Sequence, residues 1–259
     1  MSEWNPQQYL KFGDERTQPS IDLARRIRVD HPLSIMDLGC GPGNSTAVLR
    51  ERWPDAEIIG LDSSKEMIEQ AARDYPRGKW VVGDAAALAP ERGYDILFSN
   101  AVLQWIPDHG RLIPRLFRLV KRGGALAVQV PADNGSPLHR ALMTVSGSAK
   151  WRAFTAGCEN LLLYHDAEYY YSILSPLAAV VDLWETSYYH VLSSHQDLVE
   201  WYKGTGMRPF LAALPDEEGR RQFQEEVLTA AQTSYPVQRN NKILYPFKRT
   251  FFIAYAAGG

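Results

Sequence analysis

Cysteine is scarce in this sequence: 259 residues hold two, Cys40 and Cys158. That excludes a disulfide framework and a four-cysteine zinc site. Charge of one sign is scarce too. Lys and Arg number 28 and Asp and Glu 30, a net charge of −2, which argues against a general polyanion binder but leaves room for a local basic pocket. No apolar run approaches the ~18 residues that cross a bilayer. Residues 1–20 are polar, with Asp14, Glu15 and Arg16 where a secretion signal has its apolar core. His31, His139, His165 and His195 show no metal-ligand spacing. The expectation is a cytoplasmic protein without metal, membrane or nucleic-acid partner.

What is present is ordinary globular material, 45% hydrophobic and 22% charged. At this length it reads as one large domain, 1–259, able to bury a sizeable core. The first half alternates short β-rich runs with helical ones. Strands are expected over 34–38, 57–62, 80–84, 94–100 and 125–130. Helices are expected over 44–53, from a Ser63/Glu66 capping box to about Tyr75, and over 111–121 up to Gly123-Gly124. That alternation means βαβ units, a parallel sheet and helices on both faces. The second half predicts a helix over 167–174 and strands over 180–189 and 249–255. The several helices between His195 and Tyr235 are too long for a plain connection and read as an inserted helical cap.

Ligands in such folds bind at the carboxyl ends of the strands. Asp37, Asp62, Asp84 and Asn100 all stand there. Between the first strand and its helix runs Asp37-Leu38-Gly39-Cys40-Gly41-Pro42-Gly43-Asn44. Small residues let the backbone approach a ligand closely. The spacing is G-x-G-x-G, not the G-x-G-x-x-G of dinucleotide sites. A carboxylate beside this loop is awkward for a pyrophosphate and suits a ligand with an ammonium group, which disfavours an oxidoreductase. Asp62 is placed to accept from a ribose diol, and Asp84 from an adenine amino group.

These motifs resemble the class I S-adenosylmethionine-dependent methyltransferases. The resemblance implies the methionine moiety at Asp37, Gly39, Cys40, Gly41 and Gly43, with Asn100 and Ala101 lining its other side. It puts the ribose at Asp62 and the adenine near Ser63, Asp84 and Ala85. It also implies a Rossmann-like α/β sheet of seven strands in the order 3-2-1-4-5-7-6, the last antiparallel. Residues 1–30 become an N-terminal helical flap carrying Tyr9, Phe12 and Arg16. Residues 31–190 become the cofactor-binding core, 191–247 the cap and 248–259 the last strand.

Later blocks are more discriminating. Trp4-Asn5-Pro6, Leu103 to His109, Tyr188-Tyr189-His190, Gly204 to Pro209 and Phe247-Lys248-Arg249 are similar to the trans-aconitate methyltransferases. A tricarboxylate wants cations and hydroxyls. The resemblance offers Arg16, Tyr189, His190, Arg208 and Arg249, with at most one of Tyr188 and Tyr189 facing a pocket because they alternate on a strand. Gln18, where a basic residue is common, and Lys248, where proline is common, depart from the pattern. The expected reaction is methyl esterification of a carboxylate, already ionised at neutral pH, so no residue is assigned as a proton-transfer catalyst. The alternatives are another free carboxylate, such as a malonyl thioester on a carrier protein, and a non-catalytic S-adenosylmethionine-binding module.

Overall fold

A computed structural model describes residues 13–88 and 93–258, with side chains from Arg16 onward. Trp4, Tyr9 and Phe12 lie outside the described residues, as does the side chain of Glu15. Seven strands form one sheet in the order β3-β2-β1-β4-β5-β7-β6. They are β1 Ser34–Leu38, β2 Glu57–Asp62, β3 Lys79–Val82, β4 Tyr94–Asn100, β5 Val120–Pro131, β6 Val180–Leu192 and β7 Ile243–Tyr255. The β3-β2, β2-β1, β1-β4 and β4-β5 pairs are parallel. Backbone bonds Gly123 N–H to Ala257 O, Ala256 N–H to Gly124 O and Ala132 N–H to Lys248 O ascend along β5 while descending along β7. β7 is therefore antiparallel to β5, and the expected strand order and last-strand direction hold.

The chain divides into two compact units. The larger gathers the described residues up to Val130 with His165–Thr186 and residues from Thr250; the smaller gathers Pro131–Tyr164 and Ser187–Arg249. The stretch expected as the cap, 191–247, falls within the smaller.

In the larger unit α1 (Gly13–Arg26) precedes the sheet, and α2 (Asn44–Arg52), α3 (Lys65–Asp74), α4 (His109–Phe117) and α7 (Ala167–Leu174) follow strands. All five residues of β1 are buried, as a strand covered on both faces requires. Its core runs through Leu38, Leu97, Leu126, Val128, Ile113, Leu116, Tyr170 and Phe252. The smaller unit holds α5 (Pro137–Ser146), α6 (Arg152–Thr155), α8 (His195–Lys203), α9 (Arg208–Ala213) and α10 (Glu217–Ala231). Leu142, Trp201, Tyr202, Phe210, Phe223 and Val227 fill its interior.

Two local expectations are corrected. The cap of α3 is Ser64, not Ser63: its hydroxyl accepts from Met67 N–H, and it donates to Glu66. The helix expected over 111–121 ends at Phe117, and Gly123-Gly124 lies inside β5. Leu119 O accepts from Tyr94 N–H, so the chain has already turned to pair with β4. A Cβ at Gly124 would stand 2.4 Å from Asp95 O. Gly124 thus marks close approach of two backbones and Gly123 a left-handed φ of 73° within β5, and neither stops a helix.

Asp95 ties the strand starts together. Its carboxylate accepts from Leu33 N–H (3.0 Å), Ser34 N–H and Oγ (2.9 Å each) and Lys121 Nζ (2.9 Å). Burial pushes this carboxyl up, but the Lys121 ammonium, the Ser34 hydroxyl and the two backbone donors hold it below the ordinary value. Replacing it by alanine leaves those donors without their charged acceptor. Asp95→Ala is expected to lower stability by about 1–3 kcal/mol, read as a lower urea midpoint at unchanged slope. Because the folded pKa is depressed, this contribution is present above about pH 4 and lost as pH falls through the folded pKa, so the two proteins should converge in acid.

Candidate active site

The chain leaves β1 through a turn in which Gly39, Gly41 and Gly43 all adopt positive φ (66°, 55° and 98°). Gly39 and Cys40 N–H both donate to Leu61 O at the end of β2 (2.7 and 3.0 Å). At Gly39 the need for glycine is double: its φ is left-handed, and an added Cβ would sit 2.1 Å from Val102 Cγ2. At Gly41 an added Cβ meets nothing within 4 Å, so the backbone here borders open space that a ligand can approach.

Asp37 lies beneath this turn with no solvent exposure. Its Oδ2 accepts from Ser45 Oγ and Thr46 Oγ1, both at 2.6 Å. Its Oδ1 is buried and receives no donor among the described residues. Burial raises its pKa to about 7, the two hydroxyls pull it down, and the nearby Asp62 adds to the rise. Neither Ser45 nor Thr46 was singled out from the sequence, although both follow the glycine turn directly.

Asp62 ends β2 half-buried. Its Oδ2 accepts from Gly41 N–H (2.9 Å) and its Oδ1 from Ser64 N–H (2.8 Å). The same carboxylate thus fixes the glycine turn and the start of α3. Each oxygen keeps a further lone pair, so the arrangement still suits a diol. Burial moves its pKa up against these backbone bonds. Ser63 is exposed beside it. Beyond β3, exposed Asp84 accepts from Ala86 N–H (2.7 Å), and Ala85 is buried. Asn100 ends β4 at 9% exposure, with its Oδ1 buried and without a donor among the described residues. Ala101 follows at φ 59°, held by donation of its N–H to Gln129 O (2.9 Å). All eleven expected cofactor residues therefore stand in the larger unit, at or just beyond the carboxyl ends of β1, β2, β3 and β4. Buried acceptor oxygens on Asp37 and Asn100, beside a turn open at Gly41, fit the cationic methionine end of S-adenosylmethionine.

Of the expected acceptor residues, Arg16 is buried in α1 of the larger unit. The other four belong to the smaller one. His190 is buried on β6, its ring 4.2 Å from that of Trp201. Arg249 is buried on β7, with its guanidinium 4.7 Å from the Phe247 ring and 5.9 Å from that of Tyr188. Trp201 and Phe247 rings lie 5.9 Å apart, so aromatic contacts join His190 and Arg249 into one cluster. Strand alternation puts half-buried Tyr188 on the face of His190, and Tyr189, 65% exposed, on the other. Lys248 is exposed between Phe247 and Arg249. Arg208 opens α9, half-buried, with its pKa lowered by burial.

Sequence reading also passed over Asp133, just past β5. It is 2% exposed, and its Oδ2 accepts from Ser136 Oγ and Tyr245 Oη, each at 2.9 Å. Burial raises its pKa to about 7 against these hydroxyls and the positive Arg249. The signal that located Asp37, Asp62 and Asp84, an acid at a strand's carboxyl end, was there for Asp133 as well. No cluster of three or more potential metal ligands occurs among the described residues, and none of their helices is long and apolar enough to cross a membrane.

Residues 35–124 match a family model described as a methyltransferase domain. The trans-aconitate 2-methyltransferase of Methylobacterium radiotolerans is 44% identical, over 98% of this chain and 98% of that one. The Azoarcus sp. protein of the same description is 41% identical, over 98% and 99%. Among solved structures, the YcgJ protein from Bacillus subtilis is similar with a TM-score of 0.58 at 15% identity, covering 93% of this chain and all 100% of that one. A coclaurine N-methyltransferase bound to N-methylheliamine and SAH gives 0.58 at 15%, over 93% and 73%. At such identities these two structures share the fold.

The raised Asp37 pKa makes a prediction with a definite sign. Between the unfolded value near ~4 and about 7 in the fold, the folded state holds the proton more tightly. Asp37 therefore lowers stability as pH rises through that window, with no further change above it. Asp37→Asn should remove this slope. In urea unfolding at several pH values, the variant should gain on the wild type by at most about 1.4 kcal/mol per pH unit across the window. A difference independent of pH would contradict the raised pKa.

Proposed function

We infer the reaction from one premise: this chain belongs to the trans-aconitate 2-methyltransferase family. It binds S-adenosylmethionine at the carboxyl ends of the parallel strands and methylates a carboxylate of trans-aconitate, giving the monomethyl ester. The observation that carries the cofactor assignment is the pair of buried oxygens, Asp37 Oδ1 and Asn100 Oδ1, that no donor among the described residues reaches. Acceptors without donors call for a cation.

Asp37 and Asn100 would face the ammonium end, and the glycine turn would carry the methionine backbone. Asp62 would take the ribose hydroxyls, and Ser63, Asp84 and Ala85 would border the adenine. When bound, S-adenosylmethionine supplies an electrophilic methyl on sulfonium, which an acceptor oxygen takes as the C–S electron pair stays on sulfur.

No general base is needed, because the attacking carboxylate is ionised near neutrality. What the chain must supply is position and dryness, since a hydrated carboxylate is a poor nucleophile. A strong cation on the reacting carboxylate would stabilise the ground state. Arg208 and Arg249 are therefore assigned to the spectator carboxylates. The weaker donors His190 and Tyr188, on one face of β6, are assigned to the reacting one. Tyr189 faces the other way and is given no part. Two buried free cysteines and the absence of a disulfide framework agree with work in the cytoplasm.

Mass spectrometry of the product, over a panel of di- and tricarboxylic acids, tests the reading. The monomethyl ester of trans-aconitate is expected. Ester from another acid alone would overturn the acceptor, and no ester from any would overturn the reaction. Arg249→Ala should lower kcat/KM for trans-aconitate by about 2–4 kcal/mol with S-adenosylmethionine affinity unchanged. Arg249→Lys should recover part of this, because a point charge does not replace a planar fork. Loss of both ligands together with a fall in Tm would make Arg249 a structural partner of Asp133 instead.

A further inference from the structure

The turn after β4 is held more firmly than a connection needs. Ala101 occupies left-handed φ of 59°, a cost for a residue with a Cβ. Five contacts hold the turn that carries it. Ala101 N–H donates to Gln129 O at 2.9 Å. Gln104 Nε2 donates to Ala101 O at 2.7 Å. His109 Nε2 stands 2.7 Å from Leu103 O, and its Nδ1 3.0 Å from Tyr170 Oη. A carbonyl only accepts, so Nε2 bears the proton and Nδ1 accepts from the tyrosine. Finally, the Val102 methyl groups fill the space where Gly39 would carry a side chain. The turn is thus seated directly on the glycine turn of β1.

Within this turn Gln104 is 3% exposed. The bond to Ala101 O fixes its amide, because only the NH2 can point at a carbonyl oxygen. The other end, Oε1, is then an acceptor. It is buried and no donor among the described residues reaches it. Leaving such a group unpaired is costly. Asp37 Oδ1 and Asn100 Oδ1 share that condition. Asn100 adjoins Ala101 in sequence, and Gln104 bonds to Ala101, so the two oxygens belong to one turn. Three buried acceptors around interlocked turns, with no donor among them, describe a receptor for positive charge.

We propose that Gln104 is a cofactor ligand, its side-chain carbonyl meeting the cationic methionine end of S-adenosylmethionine at the ammonium or at the sulfonium. The proposal rests on the cofactor reading above. It assigns Ala101 the part of presenting Gln104, and His109 with Tyr170 the part of holding the turn in register.

Calorimetry with S-adenosylmethionine and S-adenosylhomocysteine on the wild type, Gln104→Leu and Gln104→Glu tests it. Both variants lose the N–H to Ala101 O, and Gln104→Glu keeps an acceptor oxygen, with added negative charge, that Gln104→Leu lacks, so their difference reads the attraction of an acceptor at this place for a cationic ligand. Gln104→Leu should bind S-adenosylmethionine at least tenfold more weakly than Gln104→Glu does. If the gap is confined to S-adenosylmethionine, the partner is the sulfonium, since the homocysteine form lacks that charge. If it is equal for both ligands, the partner is the ammonium. Equal affinities in the two variants, whether both weak or both like wild type, overturn the proposal: a mere brace on Ala101 fails alike in Leu and Glu. Should Gln104→Leu not fold, Gln104→Glu decides, with affinity at or above wild type for either ligand supporting the proposal and weaker binding of both overturning it. A wild type that binds neither ligand overturns the cofactor reading itself, which the variant comparison alone does not touch.

Discussion

The Asp37 carboxylate, wholly out of solvent at the end of β1, accepts two 2.6 Å hydrogen bonds from the first turn of α2. An ion in that position is unfavourable unless its lone pairs are used, and half of them are used to hold Ser45 and Thr46. Those bonds fix where α2 begins. They thereby fix the arc of the glycine turn, whose amides are tied in turn to Leu61 O and Asp62. The remaining oxygen faces no donor among the described residues. One group therefore both builds the turn and gives it an appetite for positive charge.

Each compact unit buries polar groups of its own. In the larger, Asp37 Oδ1, Asn100 Oδ1 and Gln104 Oε1 are buried acceptors that no donor among the described residues reaches, and Arg16 is a buried cation. In the smaller, the buried Arg249 is set among Phe247 and Tyr188, with the carboxylate of Asp133 as its charge neighbour. Methyl transfer from a cationic donor to an anionic acceptor destroys charge on both, which a dry setting favours.

Much of this was legible in the sequence because its signals are local. Strand-helix alternation located β1, β2 and β4 with little error, and acids at strand ends with the glycine spacing pointed to residues that stand together at the carboxyl ends of the strands. The misreadings are equally physical. Gly123-Gly124 was taken as a helix stop because sequence cannot distinguish a glycine that ends a helix from one that lets two strands approach. Ser63 carries the capping-box spacing to Glu66, but the backbone makes Ser64 the cap, and spacing alone does not reveal that shift. The second half was less legible. The stretch 131–164 gave no periodic signal strong enough to reveal α5, and Asp133 acquires its character from Tyr245, more than a hundred residues away. Alternation puts Tyr188 and Tyr189 on opposite faces of β6, but which of them is the more buried depends on how that strand sits in the sheet.

The contact between Gly39 and Val102 has an implication for how this protein varies. Each residue occupies room that the other would need, and the two lie on different turns, some sixty residues apart in the chain. Neither position is free to enlarge by itself. A bulkier side chain at 102 would press on the backbone of the glycine turn, and a smaller one would leave a void beneath it. The two sites therefore behave as a single inherited character, open to change only in concert. A designer wishing to reshape the donor pocket would have to treat both turns as one mechanical part.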